Sequence, residues 1–147
     1  PETATPEPTP AIITNVSIPA SILFTALSGQ ALLPQTKISV TVEEIAKSSD
    51  GIIGVKIKAF TSEASSYSTI EPRDLFELIS LDGANQRSYE TKGQFNSMPP
   101  QVSISGTIYF KIEPSQNTII LQVGGGDQIK YYEFNFLKKT YKETIIG

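Results

Sequence analysis

A chain of 147 residues, 39% apolar and 18% charged, suits one core-bearing domain, and its net charge of -3 gives no electrostatic pull toward nucleic acid or an anionic membrane. It contains no Cys and no His, which excludes a disulfide framework and removes both the commonest metal ligand and the side chain most used as a general base. No stretch approaches the roughly 20 apolar residues that a helix needs to cross a bilayer.

Residues 1–10 read PETATPEPTP, with four prolines, three threonines and two glutamates. Such a segment has no apolar surface to bury and favours extended, polyproline-like conformers. The composition predicts a disordered Pro/Thr-rich tether over 1–10, ahead of one β-sandwich domain over 11–147. A chain that starts at Pro1 is expected to be a mature or truncated form, with any signal peptide or lipidated Cys lying upstream.

After the tether the pattern has period two. Two short strands are expected at 12–18 and 22–27. Asn15-Val16-Ser17 fits the glycosylation sequon, a match that chance explains equally well. Ile38, Val40 and Val42 then alternate with Ser39, Thr41 and Glu43. Ile45 breaks that phase, which predicts a bulge, with the adjacent Glu43 and Glu44 expected on opposite faces. Ile53, Val55 and Ile57 alternate with Gly54, Lys56 and Lys58, and Asp50-Gly51 between the two runs is a hairpin signal because the turn needs positive φ. Glu71-Pro72-Arg73-Asp74 suits one helical turn, since Pro fits a first helical position. Asp82-Gly83 predicts a second hairpin between 76–81 and 86–89.

The longest alternation covers 102–113. Val102, Ile104, Gly106, Ile108, Phe110 and Ile112 fall on one face, opposite Ser103, Ser105, Thr107, Tyr109, Lys111 and Glu113. One buried and one wet face is antiparallel-sheet behaviour. Pro114 closes that strand and Ser115-Gln116-Asn117 turns the chain. Ile119, Leu121 and Val123 form another short run, and Gly124-Gly125-Gly126-Asp127 makes the next reversal. Tyr132, Phe134 and Phe136 follow, opposite Tyr131, Glu133 and Asn135. Lys138, Lys139 and Lys142 around Tyr141 read as a solvated basic tail. The sum is an all-β antiparallel sandwich of about eight or nine strands in two packed sheets.

Two segments carry a family resemblance. One is Asp74-Leu75-Phe76-Glu77-Leu78-Ile79-Ser80-Leu81-Asp82-Gly83 with Tyr89. The other is Val102-Ser103-Ile104-Ser105-Gly106-Thr107-Ile108-Tyr109-Phe110-Lys111-Ile112-Glu113-Pro114. Together they resemble a prokaryotic immunoglobulin-like domain family of unknown function, found on secreted proteins and surface lipoproteins, over about 38–137. The resemblance implies an immunoglobulin-like antiparallel β-sandwich and an extracellular or envelope location. It implies no catalytic residues.

Chemistry has little foothold. Nucleophilic catalysis needs a positioned base, and neither Gly-x-Ser-x-Gly nor Ser-x-x-Lys occurs, so no enzyme and no cofactor are expected. Asp127 beside three glycines, or Glu71 with Asp74, weighs as a calcium donor set only against a plain turn and a plain helix start, so no metal is expected. The glycine run cannot act as a phosphate loop, because a strand pattern follows it where a helix is required. The surface feature that stands out is aromatic. Tyr109 and Tyr131 occupy polar-phase positions, where tyrosine suits protein or sugar contacts unless sheet edges or an N-terminal strand cover it. The expected function is a non-catalytic, secreted or surface-displayed interaction or scaffold module, with an envelope or extracellular protein as partner. The alternative is a small-ligand or carbohydrate-binding module of the cell envelope.

Overall fold

Among the described residues the chain forms ten strands and one helical turn. In a computed structural model that describes residues 14–28, 36–62, 69–79, 85–88, 90–93, 95, 97–124 and 129–145, the first strands are β1 (Thr14–Ser28), β2 (Thr36–Ser48) and β3 (Ile52–Phe60). The turn α1 (Pro72–Leu75) leads into β4 (Phe76–Ile79), followed by β5 (Asn85–Arg87) and β6 (Glu90–Gly93). The chain ends with β7 (Ile104–Lys111), β8 (Thr118–Val123), β9 (Lys130–Asn135) and β10 (Thr140–Thr144). Every ladder is antiparallel. One five-stranded sheet runs β1-β2-β3-β7-β6 and the other β10-β9-β8-β4-β5.

Without β1 and β10 these orders are β2-β3-β7-β6 and β9-β8-β4-β5. If β2 to β9 are lettered A, B, C, C′, D, E, F and G in chain order, they read A-B-E-D and G-F-C-C′. That is the immunoglobulin strand order with one added C′ strand. The two remaining strands extend it, β1 beside A and β10 beside G.

The inward residues make one dry core. Ile38, Val40, Val42 and Ile45 of β2, with Ile53, Val55 and Ile57 of β3, face Phe76, Leu121, Val123 and Phe134 of the other sheet. Ile108 and Phe110 complete the first layer. Burying each of these side chains contributes roughly 1.5–3 kcal/mol.

The β2–β3 hairpin turns as Asp50-Gly51 predicts. Gly51 donates to Ser48 O at 3.1 Å with φ +86, while Ser48 Oγ accepts from the amides of Asp50 and Ile52 at 3.2 and 3.1 Å. A type I turn followed by a left-handed residue is the usual three-residue hairpin loop. The turns expected at Asp82-Gly83 and Gly124–Asp127 fall mainly outside the described residues, but the strands flanking each pair as antiparallel neighbours. The tether expected at 1–10 also lies outside them.

Several local expectations change. The two short strands expected at 12–18 and 22–27 are one 15-residue strand, β1, with a register irregularity between Pro19 and Ile22. Pro19 is tolerated there because β1 is an edge strand, which leaves one side of its backbone without a ladder. Val102 is exposed, since β7 begins only at Ile104. The basic tail belongs to a β9–β10 hairpin, in which Tyr141 pairs with Phe134 across the ladder and stacks on its ring at 5.2 Å. Lys138 and Lys139 form the exposed turn of that hairpin, and Asn135 Oδ1 accepts from the amides of Leu137 and Lys138 at 3.0 Å each.

Candidate functional site

Outward-facing side chains form two separate surfaces, one on each sheet. Tyr109 lies on β7 between the buried Ile108 and Phe110, so its ring faces out of the first sheet. It pairs with Gly54 on one side and Glu90 on the other, and Lys92 Nζ sits 5.8 Å from the ring centroid. That separation is within cation–π range. Gly54 is buried although it faces outward, and the half-buried tyrosine opposite is the side chain placed to cover it.

Tyr131 lies on β9 with the other sheet's outward set, beside Gln122 of β8 and Thr144 of β10. The two tyrosines therefore belong to opposite outer faces. They cannot form one aromatic platform.

Glu43 and Glu44 do not point to opposite faces as their adjacency predicts. The bulge between Val42 and Glu44 in the β2–β3 ladder turns both outward. Glu43 pairs with Lys58 at 3.5 Å and Glu44 accepts a hydrogen bond from Ser17 Oγ. An exposed pair of this kind contributes about 0.2–1 kcal/mol. Both carboxylates have partners across the sheet, an arrangement that stabilises a bulge and leaves no acid–base pair in a cleft.

Polar groups at one end of the sandwich serve structure. Lys47 is buried, and its ammonium donates to Pro114 O at 2.9 Å, closing the β7–β8 connection. An open groove of about 720 Å³ runs past Asp50, Lys111, Glu113 and Pro114. A crevice lined by Leu78, Ile79, Gln86, Ile112, Gln116 and Ile119 holds only about 80 Å³. Ligand pockets usually span roughly 300–1,000 Å³, so the apolar crevice is too small for a sugar ring with its contacts. Among the described residues no group of three or more acidic side chains gathers as metal ligands, and no helix is long and apolar enough to cross a membrane. Glu71 and Asp74 meet through the backbone, Asp74 N to Glu71 O at 2.9 Å, as the start of α1.

The surface that periodicity alone does not reveal is the β1 edge. Leu23 and Leu27 are 67% and 56% exposed, on the outward phase of a strand that pairs, among the described residues, with β2 alone. The direction of that edge follows from two hydrogen bonds. Thr61 Oγ1 donates to Lys37 O, so Lys37 presents its backbone to β3 and its neighbour Ile38 presents to β1. Ser21 N–H points away from β2, to Tyr141 Oη at 3.1 Å. Backbone groups alternate sides along a strand, so Leu23, Thr25 and Leu27 turn theirs to the open edge. A signal was present in the composition, since no charged residue occurs between Glu7 and Lys37. Natural sheet edges are normally blunted by charge.

Compared with known proteins, the chain matches no family model, no curated protein and no solved structure.

Proposed function

We propose that this chain is a non-catalytic interaction or scaffold module, secreted or displayed on a cell surface, that holds a protein partner through the β1 edge and the face beside it. The observation that carries this reading is the pair Leu23 and Leu27, more than half exposed on an edge strand without charge. Apolar side chains beside free backbone donors and acceptors suit strand addition, in which main-chain bonds give affinity and alternate side chains give selectivity. The Pro/Thr-rich composition of 1–10 supports display at a distance from an anchor. Membership of the prokaryotic immunoglobulin-like family of secreted proteins and surface lipoproteins is part of the same proposal. The A-B-E-D and G-F-C-C′ order supports it.

The test is capture from an envelope fraction of the source cell by the immobilised chain, with Leu23→Lys and Leu27→Lys as comparators. Retention by the native sequence and its loss in both variants is the expected result. Equal retention by all three moves the contact away from β1, and no retention by any removes the support for a protein partner.

A second reading, a carbohydrate-binding module of the envelope, rests on Tyr131 with Gln122 and Thr144 on the outer face of the second sheet. A flat aromatic flanked by amide and hydroxyl groups suits a sugar ring. A thermal-shift screen of oligosaccharides tests it, since a ligand at a hundred times its Kd adds about 2.7 kcal/mol.

A further inference from the structure

We infer that the open edge of β1 pairs with the same edge of a second copy of this chain, antiparallel, about a two-fold axis at Thr25. This deepens the interaction-module reading and rests on it.

Three observations lead there. The first is backbone direction. Leu23, Thr25 and Leu27 turn their donors and acceptors outward, the sense fixed by Ser21 N–H on Tyr141 Oη and by Thr61 Oγ1 on Lys37 O. Pairing about Thr25 sets Thr25 opposite its own copy and Leu23 opposite Leu27 of the other. All three are hydrogen-bonded pairs, which together exchange about six backbone bonds.

The second is the absence of repulsion. Strand β1 carries no charge along its length, so nothing on the edge opposes a copy of itself, whereas a neutral edge of this length left open invites pairing. The outward Leu23 and Leu27 then meet as cross-strand apolar neighbours, and both leave water together. A charged partner gains nothing from such an edge. A chain of matching neutrality does, and this edge is its own complement.

The third is that the pairing has built-in ends. Toward the N-terminus the edge meets Pro19, which has no N–H to give, and the Ser21 amide is already held by Tyr141. Strand addition from a second copy therefore stops short of Ser21. The register is defined by the leucines, because a slip of one residue would set their side chains against the wrong face.

Sedimentation of the full chain from micromolar to millimolar concentration tests the inference. The expected result is a monomer–dimer equilibrium. Thr25→Lys should weaken it at least about tenfold, because the two-fold sets like charges directly opposite each other. Ser105→Lys, an exposed change on β7 of the same sheet, should leave it unchanged. A second measurement uses the absence of native Cys. Directly opposed hydrogen-bonded residues stand about 5.5 Å apart at Cα, within disulfide range, so oxidation of Thr25→Cys should give a covalent dimer and that of Ser105→Cys should not.

A native chain that stays monomeric throughout, or a dimer indifferent to Thr25→Lys, overturns self-pairing. If that monomer still captures an envelope protein and loses it on Leu23→Lys, self-pairing falls and the interaction-module reading stands. If it captures nothing, both fall.

Discussion

The hydroxyl of Tyr141 accepts a 3.1 Å hydrogen bond from the backbone amide of Ser21, and this bond ties the last strand of one sheet to the first strand of the other. The same ring stacks on Phe134 at 5.2 Å and lies 6.4 Å from that of Tyr132. One residue thus joins the two added strands at the side of the sandwich where β1 and β10 meet. Tyr141→Phe removes one exposed hydrogen bond and should cost about 0.5–1.5 kcal/mol. Tyr141→Ala also removes the stacked, half-buried ring and should cost about 2–3 kcal/mol, at or below the low end for aromatic truncation. Urea denaturation of the two variants measures both.

Tyr132 gives the fold a dependence on alkaline pH. Burial raises its phenol above the ordinary value, with Glu143 directly across the ladder and then Tyr141 adding to the effect. The unfolded chain ionises this group near its ordinary pKa of about 10, while the folded chain holds the proton longer. Above that pH the native state binds more protons than the unfolded one, so stability falls as pH rises. The contribution is complete below the ordinary value and lost as pH climbs through the raised one. Ultraviolet titration should show the Tyr132 phenol ionising late. Tyr132→Phe should abolish that late step and flatten the alkaline loss of stability.

Gly51 and Gly106 sit where a side chain does not fit. Gly106 faces Gly93 across the β6–β7 ladder, and a Cβ on Gly106 would lie 2.3 Å from Lys92 O and 2.5 Å from the Phe95 ring. A Cβ on Gly51 would lie 2.2 Å from Ile112 O, at a φ of +86. Gly51→Ala therefore combines a clash with a left-handed backbone and should cost more than about 1–2 kcal/mol. Gly106→Ala should be destabilising as well. Combining it with Phe95→Leu should recover part of the loss, because the clash is partly with that ring; thermal melts of the single and double variants measure the coupling.

Lys47 separates packing from charge. Its stem is buried in the sandwich end and its ammonium bonds to the carbonyl of the exposed Pro114. Lys47→Met keeps the stem and leaves a carbonyl that water can reach, so it should cost about 0.5–1.5 kcal/mol. Lys47→Ala deletes several buried methylenes at about 0.8 kcal/mol each and should cost more. A reversed order in chemical denaturation would show that the ammonium, and not the stem, holds the β7–β8 connection.

The sheets were legible where side chains carry the signal. β2, β3 and β8 bury every second residue over much of their length, β7 buries Ile108 and Phe110 and β9 buries Phe134, and Gly51 and Pro72 mark a turn and a helix start through backbone chemistry. β6 and β10 were not legible. Glu90–Gly93 has no apolar residue and Thr140–Thr144 has only Tyr141, so their place comes from backbone pairing with a neighbour. Strand phase is a local property, and it put Tyr109 and Tyr131 outward as the structure has them. Sheet membership is not local, and only the crossovers show that these residues lie on opposite faces. The bulge that Ile45 signals is present between Val42 and Glu44, but its position reverses phase within one residue and so turns Glu44 outward beside Glu43. The β1 edge was missed because an edge is defined by the neighbour it lacks.

Strand β1 offers an open backbone edge at Leu23, Thr25 and Leu27, and residue-resolved amide hydrogen exchange reads that edge residue by residue. In dilute solution exchange should be fast at those three residues and slow at Phe24 and Ala26, which face β2. Slow exchange should appear at the three as concentration rises. Protection of Leu23, Thr25 and Leu27 that is already complete in dilute solution, or an alternation of the opposite phase, would contradict it.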